Sequence, residues 1–362
     1  MIRTVRLIFI ILLMLAAGII AVYSSSSILG MKRFGDEAHF LKRHMINMII
    51  GFVFMLMCWK MDYHNWRKLY LPMLVFTLML LILVFLPGFG KRAEGARRWI
   101  SLMGFSFQPA ELAKFSFIVY LAHSIERKGE KMKSFLYGFL PYLIVMMPFL
   151  LLIYKEPDLG TCVILILILI TMVLAGGLRL RYLFASCLAA FPLLYYAIVN
   201  KSYRMRRILA FIDPWADPSG YGFQIIQSFI AFGSGGLFGV GPGEGKQKLF
   251  YIPQAHTDFI FSVIAEEYGF LGVLLVIVLF SLFVIEGFRI ALRINDKFGC
   301  LLAIGITSAI GIQAFIHMSV VMGLLPPKGL TLPFISYGGS SLIVNMMEAG
   351  VLMSIASRME EK

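Results

Sequence analysis

Polar residues come in short clusters along this chain, and the stretches between them are almost continuously apolar. Runs that approach the about 20 residues needed to cross a ~30 Å hydrocarbon layer as a helix fall at 7–23, 45–59, 69–86, 110–124, 137–154, 160–174, 182–199, 259–288, 300–324 and 341–355. The pattern predicts ten transmembrane helices. Stretches of alternating polarity, the mark of a barrel, are missing, so the fold class is an all-α polytopic integral membrane protein, one membrane domain over residues 1–362. The first run reads as a retained signal anchor, because Ala21-Val22-Tyr23-Ser24 offers a poor cleavage site.

An even number of spans puts both termini on one side of the membrane. Two long connections, 87–109 and 200–257, then share the other side, between helices 3 and 4 and between helices 7 and 8. Long patterned loops are where function is expected. Within the second, the apolar segment 221–232 is too short to span and reads as an interfacial or re-entrant helix. The glycine-rich GSGGLFGVGPGEGKQK that follows is not a phosphate loop, since Val240 stands where the first Gly belongs and Gln247 replaces Ser or Thr. No internal repeat is evident, which disfavours a transporter built from repeated halves.

Composition agrees with the pattern. Of 362 residues 59% are hydrophobic and 15% charged, against about a quarter charged in soluble domains. The net charge of +13 lacks the aromatic-basic interleaving of a nucleic-acid surface, so no nucleic-acid partner is expected. Basic residues do not orient the chain, because Lys91, Arg97, Arg98, Arg207, Lys248 and Lys328 on the loop side nearly balance those on the side of the termini. Contact with anionic lipid headgroups is the simpler account of the loop-side cations; the alternative is an anionic substrate. Cys58, Cys162, Cys187 and Cys300 show no metal or disulfide spacing and read as core residues.

Charge within or at the rim of a span is costly and therefore informative. Five groups qualify: Arg97-Arg98-Trp99, Gln108 with Glu111 and Lys114, Glu156-Pro157-Asp158, His256-Thr257-Asp258, and Lys328 with Ser336 to Ser341. Each has a plain structural explanation. Glu111 and Lys114, three apart on one helix, can neutralise each other; Glu156 and Asp158 can sit against the positive end of the next helix; Thr257 can cap the helix behind it, with Asp258 in its first turn. Glu266 and Glu267 lie ~12 Å deeper than Asp258 and are expected to pair with basic or polar groups of neighbouring helices.

Taken in order, the stretches GARRW, QPAELAK, EPDLGT, RRILAFIDPWADPSGYGFQIIQS, QKLFYIPQAHTDFIF, EEYG and LPPKGLTLPFISYGGSS resemble the SEDS family (shape, elongation, division and sporulation) over nearly the whole chain. Asp213-Pro214-Trp215, Gln247-Lys248 and Pro327-Lys328-Gly329-Leu330 are most similar to its division-type branch, while Ser262 to Ala265 resembles the elongation type. Gln254 and Ala110 stand where that family usually has Glu and Ser. The resemblance implies ten helices, cytoplasmic termini in the inner membrane, and an extracytoplasmic site that polymerises peptidoglycan glycan strands from lipid II. It implies that Asp258 is the essential acid, as general base or as ligand of a divalent cation, Mg or Mn. Substrate-binding residues would be Arg97, Arg98, Trp99, Gln108, Glu111, Lys114, Glu156, Asp158, Arg207, Lys248, His256, Thr257, Lys328 and Ser340. Implied partners are lipid II, the nascent glycan strand, a class B penicillin-binding protein, and other divisome or elongasome membrane proteins. A lipid II flippase, an elongation-type polymerase and a scaffold are the competing readings.

Overall fold

The computed structural model describes residues 2–93, 96–102, 105–199, 202–248 and 255–360. Its helices are α1 (Ile2–Phe34), α2 (His39–Lys60), α3 (Trp66–Leu83), α4 (Pro109–Lys128), α5 (Leu140–Lys155), α6 (Leu159–Ala175), α7 (Leu180–Val199), α8 (Ser202–Ile212), α9 (Phe223–Gly235), α10 (Ile260–Arg293), α11 (Lys297–Val321) and α12 (Gly339–Glu360). Each apolar run read from the sequence falls on one of these helices, with α8 and α9 inside the long 200–257 connection. Among the described residues, 7 helices are long and apolar enough to cross a membrane. This is a multi-pass membrane protein.

Helix α4 falls outside that set because it carries Glu111, Lys114, Glu126, Arg127 and Lys128. Glu111 and Lys114 are tolerated because this part of the helix packs inside the bundle against α3, α6 and α11, where protein groups replace the water that lipid cannot supply, while Glu126, Arg127 and Lys128 lie at its less buried end.

The all-α expectation needs one correction. The 87–109 connection forms a three-stranded antiparallel sheet of β1 (Gly90–Ala93), β2 (Ala96–Leu102) and β3 (Phe105–Phe107) in that order. Lys91 lies opposite Trp99, and Ile100 opposite Phe107. Ile100 is buried, which seats the sheet on the bundle.

Ion pairs mark the opposite end. Arg358 meets Asp62 at 3.6 Å, Arg67 meets Glu126 at 2.7 Å and Asp296 at 3.3 Å, and Arg6 meets Glu286 at 3.7 Å. Both chain ends are therefore held at the end away from the sheet.

Helix α10 is not continuous. Gly269 has φ 63° and ψ −158°, a conformation open to glycine and costly for other residues. It separates a buried N-terminal stub, 260–268, from the rest of the helix.

Candidate functional site

At the sheet end the loops enclose a cavity of about 480 Å³. Arg43 and Asn47 enter it from α2, Lys91, Arg98, Trp99 and Ser106 from the sheet, and Gln108 and Glu111 from the start of α4. Asp158 and Thr161 come from the start of α6, His256, Thr257 and Asp258 from the segment before α10, and Gly329, Thr331 and Tyr337 from the segment before α12.

Local chemistry explains these positions. Asp158 caps α6, accepting from Thr161 N–H at 3.0 Å and Thr161 Oγ1 at 2.9 Å, and also takes Gln108 Nε2 at 3.3 Å. The turn before it is held by Arg98, whose guanidinium donates to the carbonyls of Glu156 at 2.8 Å and Pro157 at 2.9 Å. Ser340 Oγ accepts the Gln108 N–H at 2.9 Å, fixing the start of α4 against the start of α12. Ser336 Oγ donates to the Thr257 carbonyl at 2.7 Å and accepts from Leu332 N–H at 2.8 Å, while Tyr337 N–H donates to the His256 carbonyl at 3.0 Å. These bonds join the segment bearing Asp258 to the one bearing Gly329. The Asp258 carboxylate lies against Gly329, where a Cβ would come within 2.7 Å of its Oδ2.

One wall is aromatic. The His256 ring lies 4.8 Å from Phe40 and 5.5 Å from Tyr337. Burial, with Arg33 nearby, pushes the His256 imidazole down to about 4, so the ring is neutral at physiological pH.

The structure thus gathers Arg98, Trp99, Gln108, Glu111, Asp158, His256, Thr257 and Asp258 as the sequence led us to expect. Other expected site residues lie elsewhere. Lys114 is buried, paired with Glu111 at 2.8 Å and donating to Gln313 Oε1 at 2.5 Å; the mutual neutralisation weighed from the sequence is what occurs. Lys248 is buried against Glu267 at 2.6 Å. Arg97 sits opposite Arg92, off the cavity wall, and Arg207 is exposed on α8. Lys328 precedes the lining residue Gly329 without lining the cavity itself, and Ser340 acts behind the wall.

Glu156 is fully buried, and neither carboxylate oxygen has a hydrogen-bond partner. Burial first and Asp158 second push its carboxyl up to about 9, against the pull of Arg98. It therefore lies as a neutral acid behind the Arg98 turn, off the cavity wall. Thr257 is not the cap of α10: the N-cap position falls on Phe259, which offers no side-chain acceptor. Sequence reasoning missed Arg43 and Asn47. Their signal was spacing, four residues apart on one helix face, hidden because Arg43 falls just before the apolar run 45–59 and Asn47 inside it.

Among the described residues no three of His, Cys, Asp and Glu stand together as ligands for a metal ion. Glu111 is engaged by Lys114, and Asp158 by Thr161 and Gln108.

Comparisons with known proteins agree with this architecture. The family model FTSW_RODA_SPOVE, described as "Cell cycle protein", matches residues 5–361. A curated relative from Geobacter sulfurreducens, "Probable peptidoglycan glycosyltransferase FtsW", is 50% identical over 95% of this chain and 92% of its own length. "Stage V sporulation protein E" of Bacillus subtilis is 41% identical over 97% of this chain and 96% of its own. Among solved structures, a chain from work described as "Structural coordination of polymerization and crosslinking by a peptidoglycan synthase complex" matches with TM-score 0.81 and 29% identity, covering 98% of both chains. The Thermus thermophilus rod shape determining protein RodA matches with TM-score 0.72 and 26% identity, covering 98% of this chain and 96% of that one.

Proposed function

We propose that this chain, which belongs to the FtsW, RodA and SpoVE family of cell cycle proteins, is a peptidoglycan glycosyltransferase that polymerises lipid II. The observation that carries the reading is one cavity in which the Asp258 carboxylate shares the walls with Arg43, Lys91 and Arg98. An acid together with several cations suits a reaction in which a hydroxyl attacks and a diphosphate departs.

The 4-hydroxyl of an acceptor GlcNAc attacks the anomeric carbon of a MurNAc held on undecaprenyl diphosphate. As the new C–O bond forms, the bond to the diphosphate breaks and its electron pair leaves with that group. The α-linked donor becomes a β-linkage in one inversion. Asp258 takes the hydroxyl proton, help typically worth about 10² to 10⁴-fold. Arg43, Lys91 and Arg98 stabilise the charge that grows on the diphosphate. Trp99 and the His256–Tyr337 wall offer apolar faces to the sugars.

The full reading is a single membrane domain of ten crossing helices, with cytoplasmic termini and the cavity on the outer face. It is supported by membership of the family, whose model matches residues 5–361, since the basic residues by themselves do not orient the chain. A class B penicillin-binding protein as partner is supported by the match to a chain of a synthase complex. The naming of the relatives supports a role in division. A flippase would also need cations, but it has no use for a carboxylate set beside them.

Purified protein with its transpeptidase partner should polymerise lipid II, and Asp258→Asn, nearly isosteric, should fold but make no strands. Strand formation by Asp258→Asn at near the wild-type rate would refute the reading. A thiol introduced at Gly243 should be labelled by an impermeant reagent in intact cells; labelling confined to disrupted cells would reverse the orientation.

A further inference from the structure

Asp258 lies two residues before α10, whose first nine residues are cut off from the rest by the break at Gly269, so the remainder of α10 does not dictate the direction of the stub that Asp258 leads into. Something else must. The segment 236–248 crosses the break and bonds to both sides of it. Val240 and Gly241 donate their N–H groups to the carbonyls of Glu266 and Glu267 at 3.0 and 3.1 Å, and Phe270 and Leu271 donate to those of Gly236 and Leu237 at 2.9 and 3.2 Å. The carbonyl and N–H groups freed by the break are thereby used.

Side chains close the same contact. The Glu266 carboxylate accepts the N–H groups of Lys246 at 2.8 Å and Gln247 at 3.2 Å. Lys248 Nζ lies 2.6 Å from Glu267 Oε1 and 2.9 Å from Ser24 Oγ, and Ser24 donates to Glu267 at 2.5 Å. The stub is thus tied to α1 as well as to the loop. The approach leaves no room for side chains: a Cβ at Gly239, where φ is +82°, would fall 2.1 Å from the Glu267 carbonyl oxygen.

We propose that Glu266, Glu267 and Lys248 are positioning residues, a clasp that fixes the stub of α10, and with it Asp258, against the cavity. The proposal rests on the polymerase reading and assigns these groups no contact with substrate. A carboxylate misplaced by about 1 Å can cost on the order of 10² in rate, so the clasp should govern turnover and leave substrate affinity alone.

Lys248→Met alone would leave Glu267 buried without its cation and could fail to fold. The paired variant Lys248→Met with Glu267→Gln replaces the ion pair by neutral groups of similar volume and keeps the test open. In detergent, with the transpeptidase partner, this variant should fold. Its amide hydrogen exchange should quicken in 240–247 and in 255–262, and kcat should fall by about 10²-fold with KM for lipid II unchanged. Glu244→Ala, an exposed change in the same loop, should match wild type. Wild-type exchange in 255–262 would overturn the proposal, as would faster exchange with wild-type kcat, or a rise in KM alone. If wild-type protein made no strands, the polymerase reading would fall, and the exchange measurements would still judge the clasp.

Discussion

Gly329→Ala tests the placement of Asp258 with a single methyl group. The backbone at Gly329 is not in the left-handed region and the residue is exposed, so alanine meets no conformational obstacle. Its Cβ, however, would stand 2.7 Å from Asp258 Oδ2, and ordinary contact begins at 3.4 Å, so the carboxylate must retreat by about 0.7 Å. A carboxylate at the end of a rotatable side chain can retreat cheaply, at about 0.5–1.5 kcal/mol if it leaves its rotamer. Proton transfer is far less tolerant of the shift, and a loss of roughly 10- to 100-fold in polymerisation rate is expected. Thermal melting and lipid II polymerisation by the same preparation separate these effects. Gly338→Ala is the comparison, because its Cβ would meet Thr331 Cγ2 at 2.9 Å and crowd the cavity without touching Asp258. Wild-type turnover by Gly329→Ala would mean that the position of this carboxylate does not limit the reaction.

Lys114→Met should act on stability, since removing the cation leaves Glu111 buried and uncompensated, a loss of about 3–5 kcal/mol; weakened lipid II binding at wild-type melting temperature would instead show that the ammonium meets substrate. Glu156→Gln should remove a pH dependence. With the carboxyl raised to about 9 from an ordinary 4.5, the unfolded chain ionises first as pH rises. The native state therefore loses stability from about 4.5 to about 9. Melting temperatures of wild type should fall toward pH 9 relative to Glu156→Gln, and parallel profiles would sink the idea.

The helices were legible because lipid demands long apolar runs, and the runs are long. Their ends were less so: α1 continues to Phe34 and α10 to Arg293, where polar residues hide a helix that simply leaves the membrane. The sheet could not be read, since strands of 3 to 7 residues have too few positions to show a period and depend on pairing. Glu266 and Glu267 were expected to pair with basic or polar groups of neighbouring helices; Glu267 does so with Ser24 of α1, but Glu266 takes backbone N–H groups of the loop and the lysine at Glu267 also comes from the loop. Which partners was beyond reach: Ser24 lies 243 residues from Glu267, and Gln313 199 residues from Lys114. The break at Gly269 was equally hidden, as a single glycine in an apolar helix usually leaves it intact.

How the cations are held separates those that build the fold from those free to meet a ligand. Lys114 and Lys248 are buried and each faces a carboxylate, at 2.8 and 2.6 Å. Such pairs cancel their own fields and offer little to an approaching diphosphate. Arg98 is fixed just as firmly, but by the neutral carbonyl oxygens of Glu156 and Pro157, and it keeps its full charge toward the cavity. The neutral state of Glu156 belongs to the same arrangement: an ionised carboxylate beneath that turn would draw on the guanidinium above it. An anion entering the cavity therefore meets positive charge that has been positioned without being spent, next to an acid whose place is set by the backbone of Gly329. Diphosphate departure and proton removal need those two conditions together, and sequence spacing alone could not tell the neutralised lysines from the half-buried arginine that keeps its charge.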